Sequence, residues 1–191
     1  MGKLVISENI SLDGVIQVPT GEDGSGRGSW VTRIGDEDRE EWAKVEFEEA
    51  LAAEALLLGR RTYAWFIARG WPSRTGEWAD RLRSLPKYVV SSSALDDLSW
   101  DNTTVLKGDV VQKVSTLKHH VNGDVIVYGS GRLAHTLIEH DLVDELRLMT
   151  YPVVVGAGER LFAETSDLKP MRLIDTRTVG DSLAFLTYRA G

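Results

Sequence analysis

Short apolar runs alternate with stretches of helical spacing over the first two thirds of the chain. The runs are typical of buried strands, and the stretches between them repeat apolar residues every three or four positions. The predicted strands cover residues 3–10, 56–58, 87–91, 103–106 and 125–128. The predicted helices cover residues 37–53, with Asp36 as N-cap, 60–70, 77–84 and 109–121, and another begins directly after Gly131. This alternation predicts a mainly parallel sheet that helices cover.

The pattern changes after Asp141. Residues 145–155 form a long extended run that contains Pro152, and residues 171–178 and 183–189 predict two further strands. Gly180-Asp181 lies between the last two and is typical of a hairpin turn, which joins antiparallel strands. We therefore predict a single α/β domain over residues 1–191, with a mainly parallel central sheet flanked by helices and an antiparallel C-terminal part.

The composition is that of a soluble globular protein with one sizeable core. The chain has 191 residues, of which 42% are hydrophobic and 27% charged. No apolar run approaches the length of a membrane-spanning helix, and residues 1–6 lead directly into a strand pattern, unlike a signal peptide. Cysteine is absent, which excludes disulfides, thiolate metal sites and cysteine nucleophiles. These features predict a cytoplasmic protein without a membrane partner.

The charge and the histidines argue against two further classes of protein. The net charge is −7, from 22 basic and 29 acidic residues, which suits a duplex nucleic-acid binder poorly. His119, His120, His135 and His140 lie on predicted helices without a carboxylate at metal-binding spacing, so we predict no metal site. Six tryptophans leave two interpretations open, a core built from large side chains or an aromatic pocket for a flat ring.

A glycine turn carries the clearest chemical signal. The strand at residues 125–128 stops at Gly129-Ser130-Gly131, and an amphipathic helix follows with Leu133, Leu137 and Ile138 on one face. A helix that begins at such a turn directs free backbone N–H groups at an anion. The third glycine of a dinucleotide fingerprint and the Walker lysine are absent. The turn alone therefore leaves a phosphate site and a purely structural role open.

Five short pieces of sequence occur in a characteristic order. They are Ser11-Leu12-Asp13-Gly14, Leu58-Gly59-Arg60-Arg61-Thr62-Tyr63, Lys87-Tyr88-Val89-Val90-Ser91, Tyr128-Gly129-Ser130-Gly131-Arg132-Leu133 and residues 152–162. Together they resemble the dihydrofolate reductase-like superfamily over nearly the whole chain. Within it, the resemblance is to bacterial single-domain proteins related to the C-terminal reductase domain of the bifunctional riboflavin-biosynthesis deaminase/reductase. Without cysteine the zinc deaminase signature cannot exist, so deamination is excluded.

This resemblance implies a dihydrofolate reductase-like fold that binds NADPH across the carboxyl ends of its strands. The cofactor-binding residues that it implies are Gly59, Arg60, Arg61, Thr62, Ser91, Ser92, Ser93, Gly129, Ser130, Gly131, Arg132 and Leu133. Guanidinium groups suit phosphate oxygens, and two cations at a helix start oppose the helix dipole unless an anion is nearby. The serines are placed for the ribose and its 2′-phosphate.

The same resemblance implies that Asp13, Trp30 and Tyr151 lie closest to the substrate. Asp13 is the candidate catalytic acid, and its alternative role is that of a turn residue that accepts local backbone hydrogen bonds. Trp30 ends a glycine-rich loop and is expected to close over a flat ring. Dihydrofolate reductase itself carries an acid on its first long helix. The acids between Asp36 and Glu54 match no such motif, which argues against folate reduction.

The leading functional hypothesis is an NADPH-dependent reductase of a small heterocyclic or carbonyl compound. One alternative is 5-amino-6-(5-phosphoribosylamino)uracil reductase, which needs cations for a ribose phosphate, and Arg27, Arg33 and Arg160 are the candidates. Another alternative is a non-catalytic nucleotide-binding protein of the same fold. Relatives of this kind pair through the C-terminal strands, so the resemblance also predicts a homodimer.

Overall fold

The computed structural model describes residues 1–17 and 30–191, and all strands in these ranges join one mixed sheet. The strands are β1 (Lys3–Ser11), β2 (Ala53–Gly59), β3 (Lys87–Val90), β4 (Thr103–Leu106), β5 (Asp124–Tyr128), β6 (Glu145–Tyr151), β7 (Met171–Val179) and β8 (Leu183–Ala190). Their order is β4-β3-β2-β5-β1-β6-β8-β7. Only β8 runs antiparallel to its neighbours β6 and β7. The predicted parallel sheet with an antiparallel C-terminal part is confirmed.

Helices cover both faces of the parallel strands. They are α1 (Asp36–Ala52), α2 (Arg60–Ala68), α3 (Glu77–Ser84), α4 (Val110–His120) and α5 (Gly131–Glu139). Single 3-10 turns lie at Trp30–Thr32 and Trp71–Ser73. No helix within residues 1–17 and 30–191 has the length and hydropathy that a bilayer-spanning segment requires.

Two predicted boundaries are wrong, and both have a local cause. The N-cap of α1 is Gly35, not Asp36, which is instead the first helical residue and adds negative charge to the first turn. The run predicted to reach Val155 leaves the sheet at Tyr151 because Pro152 has no N–H to donate to a ladder. The predicted turn at Gly180-Asp181 does join β7 to β8.

The core is divided by the sheet. Leu4 and Ile6 of β1 pack on one face with α4 and α5, and Val5 packs on the other with α2 and α3. Adjacent residues of a strand point to opposite faces, so a strand buried on both sides reads as one continuous apolar run. A third cluster lies between α1 and the strands β6 and β8.

The parallel strands place one set of loops together. β1, β2, β3 and β5 are mutually parallel in the sheet, so the residues that follow them meet at one edge. The segment after β6 returns to this edge, where the Leu12 amide donates to the Val153 carbonyl and the Ile16 amide to the Glu159 carbonyl. In sheets of this kind, ligands bind outside the carboxyl ends of the strands.

Candidate active site

A cavity of about 1000 Å³ opens at this edge of the sheet. Two groups of lining residues differ in their chemistry. The first, the glycine-turn end, consists of Gly59, Arg60, Arg61, Thr62, Ser91, Ser92, Gly129, Ser130, Gly131, Arg132 and Leu133. The second, the aromatic end, consists of Glu8, Asn9, Trp42, Glu46, Phe66, Trp71, Trp78 and Tyr128. The structure therefore brings eleven of the twelve predicted cofactor residues to one cavity.

The glycine turn is locked to the start of α2. Gly129 and Ser130 both adopt left-handed backbone conformations, with φ of 55° and 66°. The Ser130 amide donates to Thr62 Oγ1 at 2.9 Å, and the Gly59 amide donates to Ser130 Oγ at 2.9 Å. A left-handed serine costs roughly 1–3 kcal/mol and persists where its surroundings enforce it, often at ligand sites.

The first turn of α5 offers its amides to an anion. Ser130 is the N-cap and makes no side-chain cap hydrogen bond, and the first helical N–H groups have no acceptor inside the helix. Gly131 lies against the segment that follows β6, where an added Cβ would come within 2.8 Å of Glu159 Oε1 and 3.0 Å of Ile16 Cδ1. These residues fit a dinucleotide phosphate, because backbone donors, a helix dipole and a side-chain-free approach coincide.

Arg60 connects this turn to the serines after β3. Its Nη1 donates to Ser93 Oγ at 2.8 Å, and its Nη2 lies 3.1 Å from Asp96 Oδ2. Ser93 does not line the cavity itself, but it accepts a hydrogen bond from Arg60, which does. Arg61 is 68% exposed and pairs with Glu159 at 3.5 Å. The predicted cations and serines thus lie together, with Glu159 as a carboxylate beside the turn.

Asp13 does not line the cavity. Hydrogen bonds from the Val155 amide at 3.0 Å, the Ser11 hydroxyl at 2.7 Å and the Gly156 amide at 2.8 Å lower the pKa of Asp13 to about 2. The Arg160 guanidinium adds an ion pair at 3.7 Å. A carboxylate held by these donors is ionised at neutral pH. The arrangement favours the turn-residue interpretation, in which Asp13 holds the segment after β6 against the end of β1.

Trp30 and Tyr151 belong to the core between α1 and the C-terminal strands. Their rings meet edge to face at 5.2 Å, and the Trp30 indole donates to the Gln17 carbonyl at 2.9 Å. Burial raises the pKa of Tyr151. Neither residue lines the cavity, so the structure does not bring them to the predicted substrate position. The glycine-rich loop before Trp30, including Arg27, lies outside the described residues.

The aromatic end combines rings from four separate elements. Trp42 of α1 meets Trp78 of α3 at 5.9 Å, Trp78 meets Trp71 at 5.4 Å, and Trp71 meets Phe66 of α2 at 5.6 Å. The Trp42 indole donates to Asn9 Oδ1 at 2.9 Å. Both interpretations of the tryptophans therefore apply: Trp100 and Trp30 are core residues, and the others line this cavity.

Two carboxyl groups lie among these rings, that of Glu8, which is buried, and that of Glu46, which is half-buried. Removal from water, with the charges of Glu46 and Glu159, raises the pKa of Glu8 well above its ordinary value. Removal from water and the charge of Glu49 raise the pKa of Glu46 to about 8. Glu49 itself accepts a hydrogen bond from Arg147 at 3.1 Å. Glu46 therefore keeps its proton at neutral pH and is a candidate proton donor.

The sequence alone does not single out Glu46. Trp42, Glu46 and Glu49 recur at helical spacing on α1, which places them on one face. That helix is rich in acids, however, and only contact with β1 and α3 distinguishes the two that are enclosed. No group of three or more Asp, Glu or His side chains suited to a metal ion occurs in the part of the chain that the structure describes.

Two solved structures have a fold similar to that of this chain. Dihydrofolate reductase from Enterococcus faecalis, complexed with NADP(H) and RAB-propyl, is similar with a TM-score of 0.61 and 16% identity over 99% of this chain and 96% of its own. A protein from Shewanella sp. PV-4 that is provisionally assigned to riboflavin biosynthesis is similar with a TM-score of 0.72 and 20% identity over 99% of both chains. The fold is dihydrofolate reductase-like, as predicted.

Residues 2–185 match the RibD C-terminal domain model, and the chain belongs to that family. It is 28% identical to YyaP, an uncharacterized protein of Bacillus subtilis (strain 168), over 97% of this chain and 94% of YyaP. The family and the structural neighbours support a reductase-type function and hence an oxidoreductase.

Proposed function

We propose that the protein is an NADPH-dependent reductase of a small heterocyclic or carbonyl compound. One observation carries the proposal: a single cavity joins the glycine turn at the start of α5 to Glu46, whose pKa is raised to about 8. NADPH supplies a hydride when it is bound, and the protein must bind, orient and protonate.

The glycine-turn end holds the cofactor. The amides of Gly131 and Arg132 receive the pyrophosphate, and the Thr62 hydroxyl retains its own hydrogen for donation because its oxygen accepts from Ser130. Arg60, beside Ser93, is placed for the 2′-phosphate of NADPH, which NADH lacks. The cationic fork and the serine hydroxyls therefore favour NADPH over NADH.

The aromatic end holds the substrate. The rings of Trp42, Trp71 and Trp78 exclude water and stack against a flat molecule. Glu46 donates the proton from its carboxyl oxygen to the reduced product and is reprotonated from solvent. Asp13, which is ionised and fully hydrogen-bonded, positions the segment after β6 and takes no part in proton transfer.

Membership of the RibD C-terminal domain family favours 5-amino-6-(5-phosphoribosylamino)uracil reduction as a second candidate. That reaction needs a cation for the ribose phosphate. Arg160 is already engaged by the carbonyl and carboxylate of Asp13, and Arg33 does not line the cavity. A non-catalytic nucleotide-binding protein would bind NADPH without turnover.

The test is a calorimetric titration with NADPH and NADH, followed by NADPH oxidation against pyrimidines, pterins, quinones and small carbonyl compounds. We expect NADPH to bind more tightly than NADH and at least one flat substrate to be reduced. A folded protein that binds neither nucleotide would refute the proposal. Binding without turnover on any substrate would favour the non-catalytic alternative.

We also propose that the protein forms a homodimer through its C-terminal strands. β7 is the edge strand at the C-terminal side of the sheet, and Leu173 and Ile174 on it are 48% and 37% exposed. An exposed apolar edge strand is otherwise an aggregation risk. Sedimentation at micromolar concentration should give twice the 21.2 kDa chain mass, and a monomer would reject this assembly.

A further inference from the structure

A carboxylate from the segment after β6 lies at the start of α5. A Cβ added to Gly131, the first residue of α5, would come within 2.8 Å of Glu159 Oε1. The other carboxylate oxygen, Glu159 Oε2, lies 3.5 Å from Arg61 Nη2. A helix start and a guanidinium group both attract a carboxylate. Glu159 therefore lies beside the amides to which the proposed function assigns the pyrophosphate.

The backbone of Glu159 is held against the end of β1. Its amide donates to Gln17 Oε1 at 3.0 Å, and its carbonyl accepts from the amides of Ile16 at 2.9 Å and Gln17 at 3.3 Å. The Glu159 side chain is 30% exposed and lines the cavity. Because the backbone is anchored, the carboxylate leaves the turn only by rotation of its own side chain.

The cations of the glycine-turn end are largely neutralised by acids. Among the described residues, the basic side chains that line the cavity are Arg60, Arg61 and Arg132. Arg60 pairs with Asp96 at 3.1 Å, and Arg61 pairs with Glu159. No lysine of residues 1–17 and 30–191 lines the cavity, whereas a P-loop uses a lysine to hold the outer phosphates of a nucleotide. The positive charge that remains for a ligand is therefore small.

Nucleotides differ in the negative charge that they would bring against Glu159. Each phosphate of the bridging pyrophosphate in a dinucleotide carries roughly one negative charge, whereas the terminal phosphate of ADP carries roughly two at pH 8. Repulsion between like charges grows with that charge, and water and salt screen it less in a partly enclosed site. The same carboxylate therefore disfavours ADP more strongly than a dinucleotide.

We propose that Glu159 makes the glycine turn selective for the bridging pyrophosphate of a dinucleotide over the terminal phosphates of ADP and ATP. This inference rests on the proposed function, which assigns the cofactor pyrophosphate to the amides of Gly131 and Arg132. The bridging pyrophosphate replaces Glu159 as the partner of Arg61, and the Glu159 side chain rotates away from the turn. A terminal phosphate meets stronger repulsion from the same carboxylate. The site thereby discriminates against mononucleotides that share the adenosine part of NADPH.

Calorimetric titration with NADH and ADP at pH 8 tests this selectivity. Both ligands contain adenosine and lack a 2′-phosphate, but only in NADH is the pyrophosphate bridging. Glu159→Gln should tighten ADP binding about tenfold and NADH binding by no more than about threefold. Glu159→Ala removes the charge without adding an amide and should give the same difference. The control is Glu164→Gln, the same change of charge at an exposed residue that does not line the cavity, which should alter neither affinity by more than about twofold.

The outcomes separate this inference from the proposed function. Equal gains for NADH and ADP in the Glu159 variants, or no gain for ADP, would overturn the inference and leave the cofactor site in place. The two variants are independent, so the selectivity is still measured if one of them does not fold. A folded protein that binds none of NADPH, NADH and ADP, with or without Glu159, would refute both. A selective gain for ADP together with NADPH binding but no turnover would support the inference and refute the reductase.

Discussion

The two ends of the cavity are built in different ways. The glycine-turn end comes from three short contiguous segments, residues 59–62, 91–92 and 129–133, each at the end of a strand. The aromatic end combines Glu8, Trp42, Glu46 and Trp78 from three elements that are distant in sequence. In the proposed function, the first binds the cofactor through backbone amides, whose direction follows from local structure. The second acts through carboxyl groups whose protonation follows from their neighbours.

This difference separates binding from chemistry within one cavity. An amide at a helix start is a donor in any environment, so a short motif suffices to encode an anion site. A glutamate is a proton donor at neutral pH only where burial and a like charge raise its pKa, as Glu49 and the cavity walls do for Glu46. Turnover should therefore need both ends, whereas NADPH binding should need the glycine-turn end and not Glu46.

The largest expected effect is at the turn. Gly131→Val should weaken NADPH binding about 100-fold or more, since the added side chain collides with Glu159 and Ile16 and covers the amides. Circular dichroism should show a folded protein. The control is Gly35→Val, because an added Cβ at Gly35 meets no atom within 4 Å. Unchanged NADPH affinity in folded Gly131→Val would exclude the turn as the phosphate site.

The next effect is at Glu46. Glu46→Gln should lower kcat by roughly 100-fold, the usual scale of a lost general acid, and leave NADPH affinity unchanged. Because the acid must hold its proton, turnover of the unmodified enzyme should fall as pH rises through about 8. Single-turnover oxidation of NADPH measures both. A pH profile that is the same in Glu46→Gln and the unmodified enzyme would remove Glu46 from the mechanism.

The sequence predicts the fold and the glycine-turn end for the same reason. Strand and helix periods are local, and parallel strands must bring the residues after β2, β3 and β5 to one edge. The family resemblance assigned Gly59, Arg60 and Ser91 to one site, and the parallel strands bring them to one cavity. The boundary at Tyr151 follows from Pro152, a local cause as well.

The aromatic end could not be predicted in this way. An aromatic residue after a glycine-rich loop can cover a ligand or enter the core, and edge-to-face packing on Tyr151 places Trp30 in the core. An aspartate before a glycine can be a catalytic acid or a turn residue. The two amides that donate to Asp13 come from the segment after β6 and favour the turn residue. Glu8 and Glu46 become distinct only when β1 and α1 pack together.

A smaller effect tests cofactor choice within the glycine-turn end. Arg60→Ala should weaken NADPH about tenfold and NADH little, because the guanidinium beside Ser93 is placed for the 2′-phosphate. Arg61→Ala is the comparison within the same site, since Arg61 also lines the cavity but pairs with Glu159, and it should weaken NADPH and NADH alike. Calorimetry with both nucleotides gives the ratio. An equal loss of affinity for NADPH and NADH would instead indicate that Arg60 binds the pyrophosphate, which both nucleotides carry.

The smallest effect is expected at Asp13, which belongs to neither end. Asp13→Asn should change turnover and NADPH affinity by no more than about twofold, since its carboxylate already accepts hydrogen bonds from the amides of Val155 and Gly156. Its effect should appear in thermal unfolding instead. The carboxyl pKa is lowered from 3.8 to about 2 in the folded protein, so its contribution to stability is present above pH 3.8 and is lost as pH falls towards about 2. The difference in Tm between the variant and the unmodified protein should shrink over that interval. A large loss of turnover in Asp13→Asn with unchanged Tm would instead assign proton donation to Asp13 and remove that role from Glu46.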